Sequence, residues 1–304
     1  MPCYSPLTGY KSRFLTEKGK RKIVFNRSHG FSDQTMQVPC GQCIGCRIEK
    51  SRMWAIRCTH ESRMHTANCF VTLTYAPENL PPGETLVIRD LQLFNKRLRK
   101  TLGPFRFYAC GEYGEKGNRP HYHLVIFGLN FAADRKLYSL SAKGNPNYTS
   151  QTLTEIWGKG RAELSDFNYS TAAYTARYVM KKQNGKNAMQ HENYSRLNTS
   201  SGEIYQVQPE FALMSRRPGI GAGWYEQYKT DAFPSDFLIH QGRKHTVPRY
   251  YLDKLTKENP TEAETIKQKR KQARITTAAN NTSDRLAVRE ECKTAQLSQL
   301  TRSL

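Results

Sequence analysis

No run of about 18 consecutive apolar residues occurs in the 304-residue sequence, which excludes a conventional membrane-spanning helix. The opening residues, MPCYSPLTGYKSRF, contain no apolar stretch of the kind a secretory leader carries, so the expectation is a protein that stays in the cytoplasm where it is made. There is no internal repeat, which argues against a solenoid or propeller. No Walker-type phosphate loop is present either, so the chain carries no recognisable nucleotide-driven motor. Acidic residues are scarce: 26 Asp and Glu stand against 47 Lys and Arg, a formal charge of +21. A compact fold with that excess repels itself unless it meets an acidic partner, and nucleic acid is the simplest one. At this length the chain can bury one sizeable core with appendages.

What is present begins with eight cysteines: Cys3, Cys40, Cys43, Cys46, Cys58, Cys69, Cys110 and Cys292. In a reducing compartment they point to thiols or a metal site rather than disulfides. Residues 1–50 combine turn residues and basic residues with little periodicity and read as an irregular arm. A helix-compatible pattern follows from Arg47 to His65. Cys69 to Tyr75 is rich in β-branched and aromatic residues and stops before Pro77, a strand signature. Asp90 reads as the N-cap of a helix carrying Leu91, Phe94, Leu98 and Leu102, closed by Gly103-Pro104. Phe105–Tyr113 and His121–Gly128 form a hairpin across a turn-rich connection. Ser139 to Gln151 is polar, Thr154–Trp157 a short helix, and Ser170–Lys182 a longer one. Residues 183–202 read as a loop, and beyond Tyr251 the composition becomes that of a charged helix or a partly disordered tail. The organisation is therefore a Cys-containing basic arm and helix (1–65), a core (66–182), an extension with DNA-contacting loops (183–250) and a charged tail (251–304).

His121-Tyr122-His123 lies in the second hairpin strand, where alternation sends both imidazoles to one face. Two neutral imidazoles so placed can grip a divalent ion, although an isolated His-x-His is as readily a surface pair flanking a core tyrosine. Glu112, across the hairpin turn, can bring a carboxylate beside them; its alternative is an exposed pairing with Arg or Lys. Two nitrogens and one oxygen with open positions suit Mg²⁺ or Mn²⁺. Tyr174, Tyr178 and Lys182 are spaced four apart and share one helical stripe. Alone, that stripe fits core packing. Jointly, the three groups supply what phosphodiester chemistry requires: a nucleophile, an electrophilic metal and a cation near developing charge. An unperturbed phenol, with a pKa near ~10, is a poor nucleophile at neutral pH unless a cation such as Lys182 stabilises its phenolate. Tyr169 is a further tyrosine nearby.

Phe70-Val-Thr-Leu-Thr-Tyr75, Arg119-Pro-His-Tyr-His123 and Tyr174-x-x-x-Tyr178-x-x-x-Lys182 resemble, in family order, the three motifs of HUH-class rolling-circle replication initiators, the last as in the two-tyrosine subgroup. Val38 to Cys46, Cys110-Gly-Glu-Tyr-Gly114 and Arg216-Arg-Pro-Gly-Ile-Gly221 resemble the initiators of gokushovirus-type microviruses. The resemblance covers roughly residues 38 to 225. It implies an α+β fold with a central antiparallel sheet of about five strands flanked by helices, to which the sequence adds an N-terminal Cys-containing arm and a basic C-terminal extension. It further implies a divalent metal held by His121, His123 and Glu112. One tyrosine would attack the viral origin strand, leaving a 5′-phosphotyrosine link and a free 3′-hydroxyl, and the other would take part in rejoining a circle. Host helicase and host DNA polymerase are the implied partners, in the host cell cytoplasm. If only Tyr178 is catalytic, Tyr174 is a packing residue. The family's middle metal-motif position is a bulky apolar residue; Tyr122 departs from it mildly and should bury its ring.

Cys40-x-x-Cys43-x-x-Cys46 has spacing compatible with structural Zn²⁺, the fourth ligand being Cys3, Cys58 or a histidine such as His60. The alternative is three free thiols around a tight turn. Arg47, Lys50, Arg52, Arg57, Lys96, Arg97, Arg99 and Lys100 are candidate phosphate contacts, with interleaved Tyr and Trp to stack on unpaired bases. Two other functions compete with tyrosine nicking: a non-catalytic basic DNA-binding or packaging protein, which explains charge but not ordered motifs, and a metal nuclease using water, which leaves the tyrosines without a role.

Overall fold

The computed structural model describes residues 3–114, 117–141, 144–181, 191–197 and 201–299, the side chains of 177–181 and 193 excepted. The chain forms β1 (Leu7–Leu15), β2 (Arg21–Val24) and β3 (Gly30–Val38), then enters α1 (Ile44–Ser62). It continues through β4 (Asn68–Tyr75), α2 (Ile88–Leu102), β5 (Arg106–Tyr113), β6 (Pro120–Phe127), β7 (Lys136–Leu140) and β8 (Pro146–Thr149). Next come α3 (Gln151–Trp157), β9 (Gly160–Asp166) and α4 (Tyr169–Lys181). The remaining elements are β10 (Ser195–Leu197), β11 (Ile204–Gln206), β12 (Phe211–Met214), α5 (Ala222–Tyr228), β13 (Phe237–His240), β14 (Arg243–Thr246), α6 (Arg249–Glu258), α7 (Pro260–Thr276) and α8 (Ser283–Ser298).

The chain divides into two compact units. One takes in the described residues of Met1–Glu49 and Gln268–Thr301, the other those of Lys50–Lys267. In the larger unit seven strands pair antiparallel throughout, in the order β12-β5-β6-β4-β9-β8-β7. The fold is thus α+β with a helix-flanked antiparallel sheet, as the motif order implied, but with seven strands rather than about five. Of the seven, β4, β5 and β6 were placed from the sequence; β8 and the end of β7 fall in the stretch that reads as polar, their side chains half-buried or exposed.

Strand alternation sorts the sheet's two faces. Val71, Leu73 and Tyr75 of β4 and Tyr122, Leu124 and Ile126 of β6 pack with Leu91, Phe94 and Leu98 of α2 and with Leu153 and Trp157 of α3. On the opposite face Phe70, Tyr108, Val125 and Phe127 meet Ala55 and Cys58 of α1 and Ala172 and Ala176 of α4. The apolar residues of α2 recur at three- and four-residue spacing, which gives a helix one buried stripe. Ser150 caps α3 by accepting from the Leu153 amide at 3.1 Å. A third cluster gathers Ile56 of α1 with Trp224, Tyr225, Phe233, Leu238, Tyr251, Leu252 and Leu255.

Two local readings are corrected. α2 starts at Ile88, so Asp90 is not its N-cap; it sits inside the first turn and accepts from the Tyr75 hydroxyl at 2.7 Å. Residues 7–38 are not irregular: β1 pairs with both β2 and β3 in a small antiparallel sheet. Its strands escaped the periodicity reading because neither face of β1 is continuously buried. Beyond residue 248 the described chain is mostly helical, as α6, α7 and α8.

Tyr122 anchors β6 from the α2 side. Its ring is fully buried, and its hydroxyl accepts from the Val87 amide at 2.9 Å, lies 3.1 Å from the Val87 carbonyl and 2.8 Å from the Tyr75 hydroxyl. Tyr122→Phe keeps the ring and strands that network, so denaturant unfolding should report a loss of roughly 1–3 kcal/mol, the cost of unsatisfied buried polar groups. A loss under about 0.5 kcal/mol would mean that the hydroxyl network does not hold the strand.

Candidate active site

The register of β6 against its two neighbours assembles the site. Glu112 of β5 is directly opposite His121, Cys110 is opposite His123, and on the other side Thr72 of β4 faces His123. With Tyr122 turned into the α2 core, His121 and His123 are carried to the sheet face that α4 covers. Glu112 belongs to that face too, being an even number of residues from Tyr108 along β5. Sequence reading of the pair as neighbours on one face therefore agrees with the geometry.

His123 and Glu112 are both buried, 4% and 2% exposed, and His123 Nε2 is 2.9 Å from Glu112 Oε1. Its other ring nitrogen, Nδ1, is 3.0 Å from the Thr72 hydroxyl. Since an ionised carboxylate only accepts, Nε2 is assigned the proton and Nδ1 accepts from Thr72. The exposed ion-pair alternative for Glu112 does not hold. His121 is half-buried, its ring centroid 6.0 Å from that of His123, and its Nδ1 is buried with no hydrogen-bond partner among the described residues. Burial, reinforced by His123, pushes His121 below the usual histidine range. A histidine kept neutral is one that can ligate a cation. Gly114 leaves the room the His121 ring occupies: a Cβ there would stand 2.8 Å from its Cε1.

Tyr174 projects from α4 onto this cluster. Its half-buried ring meets His123 edge-on with centroids 5.1 Å apart, and Phe70 at 6.1 Å in the same manner. Phe70 in turn stacks parallel to the His123 ring at 5.5 Å. The helix is fixed from α1 as well, where the Ser51 hydroxyl donates to the Ala173 carbonyl at 3.1 Å. Tyr178 lies on α4 one turn further, with its side chain outside the described residues, and Lys182 lies outside them altogether. Tyr169, at the start of α4, packs against the same core cluster as Tyr174 and also meets His240 with ring centroids 4.4 Å apart at a tilt. Two residues escaped the sequence reading. Thr72 and Phe70 orient His123, yet both act through strand pairing some fifty positions away, and only the strand motif that contains them was visible.

Several candidate phosphate contacts have other work. Arg57 is held between the rings of Trp54 and Tyr250, 4.1 Å from each centroid, and donates to the Ile220 carbonyl at 3.0 Å. Arg97 donates to the carbonyls of Ile156 and Trp157, and Arg99 lies over Phe105. Lys50, Lys96 and Lys100 are exposed.

The cysteine motif folds onto a fourth cysteine. The sulfurs of Cys3, Cys40, Cys43 and Cys46 all lie within 4.8 Å of one another. Of the three suggested fourth ligands, Cys3 is the one brought in. Cys58 is fully buried in the packing of α1 against the sheet, and His60 is stacked on Trp224 at 3.6 Å with Nδ1 3.0 Å from the Tyr251 hydroxyl.

Comparison with known proteins aligns with this region. The model of the replication-associated protein ORF2/G2P family matches residues 68–183, from the start of β4 to just past α4. The chain is 34% identical over 232 residues to the replication-associated protein VP4 of Bdellovibrio phage phiMH2K, covering 73% of this chain and 68% of that one. It is 31% identical over 237 residues to the replication-associated protein ORF2 of Spiroplasma virus 4, with the same coverage. Against the replication-associated protein ORF4 of Chlamydia phage 1 the identity is 25% over 239 residues, spanning 75% of this chain and 56% of the relative. No solved structure matches significantly.

The burial of His60 has a measurable consequence. Burial holds its pKa down to about 3 from an ordinary 6.5, so the unfolded chain takes the proton first as pH falls. Stability from this residue is level above the unfolded pKa and is lost progressively below it, toward pH 3. Between pH 7 and 4, wild type should lose roughly 3 kcal/mol more than His60→Gln, measured by urea unfolding at each pH. Parallel profiles would mean that His60 titrates freely.

Proposed function

The chain belongs to the family of phage replication-associated proteins, and from that premise we propose that it starts rolling-circle replication by nicking the viral origin strand with a tyrosine. The observation that carries this reading is the meeting of Tyr174 with the buried His123–Glu112 pair, 5.1 Å between the tyrosine and histidine rings.

His123 and Glu112 present paired donors of the kind a divalent cation takes, whereas His121, its ring centroid 6.0 Å from that of His123, does not close with them into a compact cluster as the four cysteines do. Glu112 Oε1 and His123 Nε2 converge to 2.9 Å around a single proton, and the buried Nδ1 of His121 lacks a hydrogen-bond partner among the described residues. His121, His123 and Glu112 would hold Mg²⁺ or Mn²⁺, which when bound polarises the scissile phosphate. Thr72 and Phe70 keep the His123 ring in place for that task. Tyr174 or Tyr178 supplies the attacking oxygen. Its bond to phosphorus forms as the bond from phosphorus to the 3′-oxygen breaks, so the 5′ side stays on the protein as a phosphotyrosine and the 3′-oxygen takes up a proton. Lys182 stabilises the phenolate. The link conserves the energy of the phosphodiester, and the second tyrosine can cleave the regenerated origin while the new 3′-hydroxyl attacks the first phosphotyrosine, closing the displaced strand into a circle. The 3′-hydroxyl primes a host polymerase, and strand separation falls to a host helicase. The net positive charge favours the single-stranded or locally melted DNA such a site needs. No described helix is long and apolar enough to cross a membrane.

Labelled single-stranded origin DNA incubated with the protein and Mn²⁺ should give a protein–DNA adduct that survives denaturing electrophoresis. The adduct should persist in Tyr174→Phe or Tyr178→Phe, vanish in the double variant, and form roughly 100-fold or more slowly in His123→Ala. Free 5′-phosphate ends without adduct would favour attack by water, and DNA binding without cleavage would favour a non-catalytic packaging role.

A further inference from the structure

The proposed chemistry leaves the four-cysteine cluster without a role, and that cluster is built as a site. β1 and β3 pair with Leu7 opposite Val38, so the residues before β1 run back alongside those after β3 and Cys3 arrives beside Cys40. Gly41, at φ +76°, makes the turn that carries the chain from Cys40 to Cys43. Cys46 sits in the first turn of α1 and is buried. Cys3 and Cys43 sulfurs are 4.0 Å apart, and all four fall within 4.8 Å of one another. Ligands around one tetrahedral ion with bonds of about 2.3 Å stand about 3.8 Å apart, so the cluster has the dimensions of a single metal site.

Backbone amides are aimed at the sulfurs. Cys40 N–H donates to Cys3 Sγ at 3.2 Å, Cys43 and Gln42 N–H donate to Cys40 Sγ at 3.3 and 3.4 Å, and Tyr4 N–H donates to Cys43 Sγ at 3.3 Å. Such bonds favour thiolates over thiols, which is the form a metal requires. Four thiolates gathered without a cation would repel one another strongly. The surroundings add a reason for a staple. Among the described residues up to Glu49, Tyr4 and Cys46 are the buried hydrophobic ones, while Phe14, Leu15, Ile23 and Phe25 stand exposed. A three-stranded sheet that contributes so few buried apolar residues of its own gains much from a metal or cross-link, as small units do.

We propose that Cys3, Cys40, Cys43 and Cys46 bind one structural Zn²⁺ that holds the start of the chain and the β1–β3 sheet to the first turn of α1. Four protein sulfurs leave no open position, so the ion has no part in the nicking chemistry.

The test uses the full chain purified under reducing conditions. Zinc analysis should find one ion per chain, retained when His121 and His123 are both replaced by Ala. A thiol-reactive mercurial should release it, and Co²⁺ substitution should give the intense charge-transfer absorption of a four-sulfur tetrahedral site. Cys3→Ser, in the smaller unit and outside the β4–β6 sheet, should weaken Zn²⁺ binding about 100-fold or more and reduce the intensity of the cobalt bands. Removing zinc with a chelator should raise hydrogen exchange across residues 7–38 while the β4–β6 amides stay protected. Absence of zinc from the reduced wild type, or undiminished zinc affinity in Cys3→Ser, would overturn the proposal, as would loss of the ion in the double histidine variant.

Discussion

The pairing register of β6 with β4 and β5 is the constraint on which the rest depends. A strand's side chains alternate with period two, so sliding β6 by one residue would drive His121 and His123 into the α2 core and throw Tyr122 outward. The register is fixed on the core side by Tyr122, whose hydroxyl is satisfied by Val87 and Tyr75, and by the fully buried Leu124 and Ile126. Packing on one face thereby places chemistry on the other. Glu112 and Thr72 reach His123 because each occupies the neighbouring strand position that this register dictates.

Under the proposed nicking function, α4 is the element that would bring a tyrosine to the histidine face. Phosphodiester cleavage by a side chain needs the nucleophile and the charge-stabilising groups held to within a fraction of an ångström. α4 is packed through Ala172 and Ala176 against the strand face that bears the histidines, so its small residues let the helix approach closely and present Tyr174 to His123. The aromatic stack of Phe70 on His123 serves the same end from β4.

Much of this was legible in the sequence where local periodicity decides the structure. His121, His123 and Glu112 follow from a hairpin and an alternation rule, and the place of Tyr174 on a helix from its apolar spacing. Other features depend on contacts between distant segments and left no local trace. Thr72 became a histidine partner through strand pairing. Cys3 was one of three candidates until the β1–β3 register chose it over Cys58 and His60. Arg57 looked like a free cation but is enclosed between Trp54 and Tyr250. The Asp90 misreading has the same origin: an acidic residue near a helix start is a good cap by propensity, whereas here the helix begins two residues earlier and Asp90 serves Tyr75. Strands with little buried area, β1 to β3 and β7 to β8, lacked the apolar alternation by which strands are recognised.

If one sheet face and one helix form a single nicking centre, a tyrosine of α4 must become joined covalently to the origin strand, and that bond can be sought. Wild-type protein reacted with an origin oligonucleotide would be digested with nuclease and trypsin, and the nucleotide-bearing peptide sequenced by mass spectrometry. Cleavage after Arg161, Arg177 and Lys181 separates residues 162–177, with Tyr169 and Tyr174, from residues 178–181, with Tyr178. The nucleotide is expected on Tyr174 or Tyr178. Its appearance on Tyr169 or on a tyrosine outside α4 would contradict that assignment.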